Sequence, residues 1–186
     1  MSVSDVLRKI TCSLAAAGIP YMLAGSFAST YYGAARSTRD IDLVIDATPA
    51  QLRDFVQRLA SENYYAELSA ALDALRQESM FNVIDMASGW KIDLIIRKAR
   101  AFSREEFGRR QLVTLQDLSL FVASAEDVIV SKLEWSKLSQ SQRQIEDVAA
   151  ILRIRGDALD RQYLEKWIGE LQLEIAWRDA QSAADL

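Results

Sequence analysis

Residues 25–46 read GSFASTYYGAARSTRDIDLVID, and this stretch decides how the chain is interpreted. A turn of small residues precedes a short helix, and residues 40–45 (DIDLVI) follow as a strand. Side chains at positions i and i+2 of a strand point to the same face, so Asp40 and Asp42 present their carboxylates side by side. Two like charges at that separation are costly unless a cation lies between them or one binds a proton. Apolar residues surround the pair, which predicts a strand that is buried on at least one side. Mg²⁺ is the leading explanation for two carboxylates in such a strand, because it binds carboxylate oxygens and leaves positions open for phosphate.

A third carboxylate lies in residues 90–96 (WKIDLII), a predicted strand that is apolar on both sides of Asp93. This aspartate is the natural third ligand for the pair on the earlier strand. Two carboxylates on one strand and a third on a neighbour suit two-metal phosphoryl transfer. The alternative is an exposed ion pair between Asp93 and Lys91, two positions earlier.

The order Gly25-Ser26, Asp40-Ile41-Asp42 and Asp93 resembles the DNA polymerase beta-like nucleotidyltransferase superfamily. Its members carry a hG[GS] turn, a [DE]h[DE]h strand and a later single carboxylate on a neighbouring strand. Within the superfamily, residues 24–45 (AGSFASTYYGAARSTRDIDLVI) look like the small bacterial AbiEii-type toxin and minimal nucleotidyltransferase branch, which has R-x-[ST]-x-D-[IL]-D after the turn. The later segments 127–137 (DVIVSKLEWSK) and 141–152 (SQRQIEDVAAIL) resemble that branch's helical lysine and its R-x-x-x-D helix. The turn departs from Gly-Gly, and its serine adds a hydroxyl.

The resemblance implies a set of roles for these residues. It implies that two Mg²⁺ ions are bound by the catalytic carboxylates Asp40, Asp42 and Asp93. It implies that a nucleoside triphosphate is bound by Gly25, Ser26, Arg36, Thr38 and Lys132. Four of these residues also have a plainer interpretation. Ser26 suits a helix N-cap, Arg36 and Thr38 suit a solvated loop, and Lys132 suits a helix surface. The i,i+4 spacing of Arg143 and Asp147 suits a helical ion pair.

The expected fold class is α+β. A nucleotidyltransferase core, made of a small mixed β-sheet with flanking helices, is predicted for residues 1–120, and a helical region packed on that core is predicted for residues 121–186. Thr48-Pro49 predicts the N-cap and first residue of a helix, and Ser124 predicts another helix start. The basic segment 97–110 is predicted to be an irregular, solvated connector, with an RNA acceptor surface as its alternative.

The composition excludes several kinds of chemistry. The 186 residues include no histidine, which rules out Ser-His-Asp and Cys-His catalysis and HExxH zinc sites. The single cysteine, Cys12, cannot form an internal disulfide, which fits a reducing compartment. No window approaches the roughly 18 apolar residues of a membrane span, so we expect a cytoplasmic protein that has no membrane partner.

Three functions remain open from the sequence. The first is a Mg²⁺-dependent nucleotidyltransferase that moves a nucleoside monophosphate to a hydroxyl acceptor, such as a tRNA 3′ end, a protein or a small molecule. The resemblance favours tRNA or protein, and a toxin that has a cognate antitoxin. The second is a non-catalytic partner protein with the same fold. The third, a metal-dependent phosphohydrolase, fits the carboxylates but not the Gly25-Ser26 turn.

Overall fold

A computed structural model describes residues 2–34, 37–38, 40–115 and 117–185. The helices in this part of the chain are α1 (Val3–Ala16), α2 (Gly25–Tyr31), α3 (Pro49–Ser61), α4 (Leu68–Gln77), α5 (Ala101–Gly108), α6 (Ala125–Ser139), α7 (Gln142–Arg155), α8 (Arg161–Glu170) and α9 (Glu174–Ala183), with a 3₁₀ turn at Gly156–Ala158. The strands are β1 (Tyr21–Leu23), β2 (Asp40–Ile45), β3 (Tyr64–Ala66), β4 (Met80–Asp85), β5 (Lys91–Ile96), β6 (Gln111–Leu115) and β7 (Leu118–Val122). The predicted α+β fold with helices at the C-terminus is confirmed.

The chain divides into two compact units. The first comprises Met1–Ala24 and Thr38–Val122, and the second comprises Gly25–Ser37 and Ala123–Leu186. All the described strands belong to the first unit, whereas the described elements of the second unit are helical. Helix α2, which the sequence assigned to the core, therefore groups with the C-terminal helices.

The first unit is built on a mixed sheet with the strand order β3-β4-β5-β2-β1-β7-β6. The central pair β2 and β5 is parallel, β1 is antiparallel to β2, and β4 is antiparallel to β5. One face of β2 carries Ile41, Leu43 and Ile45, each with an exposed fraction of 0%. Because strand side chains alternate between faces, the two aspartates of β2 lie on the opposite face.

Two helices of the first unit, α1 and α3, begin at side chains that cap their free N–H groups. The Thr48 hydroxyl accepts a hydrogen bond from the Gln51 N–H and Pro49 is the first helical residue, so the predicted start of α3 is confirmed. Helix α1 has a capping box between Ser2 and Asp5. Its apolar stripe is buried, as expected for an amphipathic helix.

Three elements differ from the prediction. Residues 101–108 (AFSREEFG) form helix α5, so the prediction of an irregular connector after β5 was wrong. This helix buries Phe102 and Phe107, and the guanidinium of Arg110 lies 4.3 Å from the centre of the Phe107 ring. Strands β3 and β7 were not predicted. They form because each pairs with neighbouring strands, β3 with β4, and β7 with β6 and β1.

In the second unit, α6 packs against α7, α8 and α9, and α2 packs against α6 and α7. The predicted start of α6 is confirmed, since the Ser124 hydroxyl accepts from the Asp127 N–H and donates to its carboxylate at 2.6 Å. Tyr163 and Trp167 of α8 are buried in the core of this unit.

No helix in the described part of the chain is long and apolar enough to cross a membrane.

Candidate active site

The candidate site lies on the face of the central strand pair that is opposite the side chains of Ile41, Leu43 and Ile45, in the first unit. In the parallel register of β2 and β5, Asp42 is opposite Asp93 and Asp40 is opposite Lys91. Neighbouring strands lie about 4.8 Å apart, so side chains in register on one face are direct neighbours. The structure therefore places all three predicted catalytic carboxylates on one patch of the sheet. Asp93 is 7% exposed, Asp42 is half-buried and Asp40 is exposed.

A lysine of the chain lies among these carboxylates. The ammonium nitrogen of Lys91 is 3.0 Å from Asp93 Oδ2 and 4.0 Å from Asp40 Oδ1. The hydrogen bond to Asp93 and the negative charges of the three aspartates raise the pKa of Lys91, while partial burial acts in the opposite direction. Lys91 therefore stays protonated at neutral pH and acts as a counterion. The ion pair considered from the sequence does form, although its carboxylate is buried.

The second oxygen of Asp93 also has a partner within the protein. Asn82 on β4 is opposite Asp93 in the antiparallel register, and its amide nitrogen donates a hydrogen bond to Asp93 Oδ1. Sequence reasoning missed Asn82. The available signal was its place as a polar residue in the alternating segment MFNVID, one hairpin before Asp93.

The donor chemistry of this patch fits a hard divalent cation, because carboxylate oxygens are the ligands that Mg²⁺ prefers. The position of the Lys91 ammonium shows that the patch attracts positive charge. With the side chains in their present positions, however, no three acidic or cysteine side chains among the described residues are arranged to hold a metal ion. Asp40, Asp42 and Asp93 are the residues that could hold one, and Asp93 is at present paired with Lys91.

The loop before β2 contributes Thr38 from the predicted nucleotide-binding set. Its hydroxyl accepts a hydrogen bond from the Asp40 N–H at 3.3 Å, so Thr38 shapes the start of the strand that carries the aspartates. Arg36 lies outside the described residues. The roles of both residues in nucleotide binding stay predictions.

The second unit contains the other predicted nucleotide-binding residues. Gly25 begins α2 with φ of +58°, a left-handed backbone conformation that residues other than glycine rarely adopt. Ser26 is buried, and its carbonyl accepts hydrogen bonds from the hydroxyls of Ser29 and Thr30 at 3.0 and 2.9 Å. These contacts fix the first turn of α2, and phosphate binding by this turn stays a prediction.

Lys132 on α6 is buried, with an exposed fraction of 4%. Its ammonium donates to Asp147 Oδ2 at 2.6 Å and to Gln144 Oε1 at 3.0 Å, both on α7. Asp147 thus forms a buried ion pair between two helices. Arg143 is exposed and, with Asp147, lines a cavity of about 490 Å³ in this unit. The predicted contact of Lys132 with nucleotide phosphate stays a prediction.

The fold is similar to those of several solved structures. The antibiotic-resistance factor ANT(2'')-Ia in solution is 13% identical over 96% of this chain and 96% of its own, with a TM-score of 0.58. The crystal structure of ANT(2'')-Ia in complex with adenylyl-2''-tobramycin gives a TM-score of 0.59 at 11% identity, over 92% of this chain and 98% of that one. An antigenic nucleotidyltransferase-like protein from Paracoccidioides brasiliensis is 14% identical over 98% of this chain and 91% of its own, with a TM-score of 0.57.

No family model matches the chain, and no curated protein matches it in sequence. The structural similarity is therefore a similarity of fold. The chain has the fold of nucleotidyltransferase structures, as the sequence predicted, and the resemblance to the AbiEii-type branch stays a prediction.

Proposed function

We propose that this protein transfers a nucleoside monophosphate from a nucleoside triphosphate to a hydroxyl group. The observation that carries the proposal is the register of β2 and β5, which puts Asp42 beside Asp93 and Asp40 two residues along the same face. The fold shared with nucleotidyltransferase structures supports the same reaction class.

The proposed reaction needs charge compensation more than covalent chemistry. The oxygen of the acceptor hydroxyl bonds to the α-phosphorus, the bond between the α-phosphate and the β-phosphate breaks, and pyrophosphate leaves. The hydroxyl proton passes to solvent or to a carboxylate of the site. A bound Mg²⁺ ion would supply positive charge for the triphosphate oxygens. Asp40 and Asp42 are the proposed primary ligands and Asp93 is the third. Gly25 and Ser26, Arg36, Thr38 and Lys132 are the proposed phosphate contacts.

The proposed acceptor is a tRNA 3′ end or a protein hydroxyl, and the proposed setting is a toxin with a cognate antitoxin. Both rest on the likeness of residues 24–45 and 127–152 to the AbiEii-type branch. A small-molecule acceptor is the alternative. It gains support from the similarity in fold to ANT(2'')-Ia, which has been crystallised with adenylyl-2''-tobramycin.

The binding step is tested by thermal unfolding with ATP, GTP, CTP or UTP, each with and without Mg²⁺. A ligand at 100 times its Kd stabilises the folded state by about 2.7 kcal/mol, so one triphosphate should raise Tm by several degrees, and only with Mg²⁺. The variant Asp40→Asn/Asp42→Asn should lose the shift. Asp46→Asn is the matched control, because Asp46 directly follows the same strand but pairs with Arg97 at 3.0 Å.

A non-catalytic partner protein is the second candidate, and the position of Lys91 favours it. Three mutually repelling carboxylates would be hard to explain without a metal, but here an ammonium already pairs with two of them. A protein that unfolds cooperatively and shows no shift with any triphosphate would support this second function.

A further inference from the structure

We propose that Lys91 competes with a divalent cation for Asp93, and that it thereby keeps the affinity of the site for free metal low. This inference rests on the proposed function, because it concerns how the same carboxylates take up their ion.

The contacts of Asp93 carry the inference. Lys91 Nζ lies 3.0 Å from Oδ2 and the amide of Asn82 donates to Oδ1, so each carboxylate oxygen already has a donor from the protein. Asp93 is 7% exposed, and a buried carboxylate that loses a cationic partner must gain another. A metal ion at Oδ2 would meet the Lys91 ammonium, so the two cations compete for this oxygen.

Lys91 is able to withdraw. Its side chain is 43% exposed, and a lysine reaches its partner through four flexible carbons. The ammonium also lies 4.0 Å from Asp40 Oδ1, so it faces both strands that carry the proposed ligands. The lysine thus contacts carboxylates of both strands, and a metal ion held by these carboxylates would have to compete with its ammonium.

The competition has a consequence for how metal arrives. Mg²⁺ in phosphate-transferring sites is commonly held by one or two carboxylates together with substrate phosphates. An ion that comes with a triphosphate brings its own ligands, and it needs Asp93 less than a free ion does. The wild-type protein should therefore bind free metal weakly and the metal–triphosphate complex more strongly.

Mn²⁺ binding, followed by the electron paramagnetic resonance signal of the free ion, tests the inference without any turnover. The variants are Lys91→Met, Lys91→Gln, Asp93→Asn and the double variant Lys91→Met/Asp93→Asn. Lys98→Met is the matched control: Lys98 is exposed and seven residues further along, roughly 23 Å away if the backbone stays extended. Circular dichroism and a thermal melt show that each variant is folded.

Removal of Lys91 should tighten Mn²⁺ binding roughly tenfold or more, since each tenfold corresponds to only about 1.4 kcal/mol. The gain should vanish in the Asp93→Asn background, and Lys98→Met should bind like the wild type. Equal Mn²⁺ affinity in the wild type and both Lys91 variants would overturn the inference and leave the proposed function standing. A gain that persists without Asp93 would also overturn it. If neither the wild type nor any Lys91 variant binds free Mn²⁺, the inference is wrong; if Mn²⁺ also fails to bind when a triphosphate is present, the metal-dependent function is wrong as well.

Discussion

From the buried ion pair between α6 and α7 we predict that loss of one of its charges lowers the free energy of unfolding. The substitution Asp147→Asn removes the charge that Lys132 meets at 2.6 Å, while it keeps the shape of the side chain. The side chains of Lys132 and Asp147 are 5% and 7% exposed, so bulk solvent screens the pair only weakly. Gln144 remains as a neutral acceptor at 3.0 Å.

Loss of one member of a buried pair costs about 3–5 kcal/mol, and because Lys132 still donates to Gln144, the expected loss is about 3 kcal/mol. That is a large part of the roughly 5–15 kcal/mol that stabilises a typical protein. Replacement of both charges by apolar residues, in Lys132→Met/Asp147→Leu, should recover most of the loss, because no charge is then left buried alone.

Urea unfolding followed by tryptophan fluorescence suits this measurement. Three of the four tryptophans, Trp135, Trp167 and Trp177, lie in the second unit, which also contains the ion pair. Arg143→Gln is the matched control on the same helix, and its exposed side chain predicts a change within about 0.5 kcal/mol. A loss below about 1 kcal/mol in Asp147→Asn, or a double variant as unstable as the single one, would refute the reasoning.

Two further perturbations follow from buried hydroxyls. No described group forms a hydrogen bond with the Tyr64 hydroxyl, and burial is the main cause that raises its pKa from 10.0 to about 12. As pH rises, the Tyr64 hydroxyl therefore ionises in the unfolded chain before it does so in the folded protein, and the free energy of unfolding of the wild type should fall between pH 10 and 12. In Tyr64→Phe, urea titrations should show a smaller fall over this range. At neutral pH the variant should be as stable as the wild type or more stable. Ser124→Ala removes the fully buried N-cap of α6 and should cost about 1–2 kcal/mol in the same assay, whereas an unchanged urea midpoint would contradict the capping role.

The sequence predicts the elements that carry strong local signals. Strand β2 combines alternation with a preceding turn, and α3 has both a capping threonine and a proline at its first position. Helix α5 was not predicted, because its segment is short and rich in charged residues, so that its few apolar positions show no clear helical period. Strand β3 has three residues and no period of its own, so its pairing with β4 determines it.

The part of the candidate site that lies within one strand could be predicted from the sequence, whereas the contacts between strands could not. The i,i+2 spacing within β2 fixes the face shared by Asp40 and Asp42, and it does so without tertiary information. The partners of Asp93 depend on the register between strands, which brings Asn82 from the previous strand and Lys91 toward Asp40. Likewise, the pairing of Lys132 with Asp147 depends on how two helices pack, so the spacing within α7 alone suggested Arg143 instead.

The most direct test of the proposed reaction compares nucleoside triphosphates labelled at the α-phosphate with those labelled at the γ-phosphate. Each is incubated with Mg²⁺ and with tRNA, protein or small-molecule acceptors. Label from the α-phosphate, but not from the γ-phosphate, should enter one acceptor class, with release of pyrophosphate. Transfer should be lost in Asp40→Asn/Asp42→Asn and kept in Asp46→Asn. Transfer of the γ-label, or no α-label in any acceptor despite Mg²⁺-dependent triphosphate binding, would contradict nucleotidyl transfer.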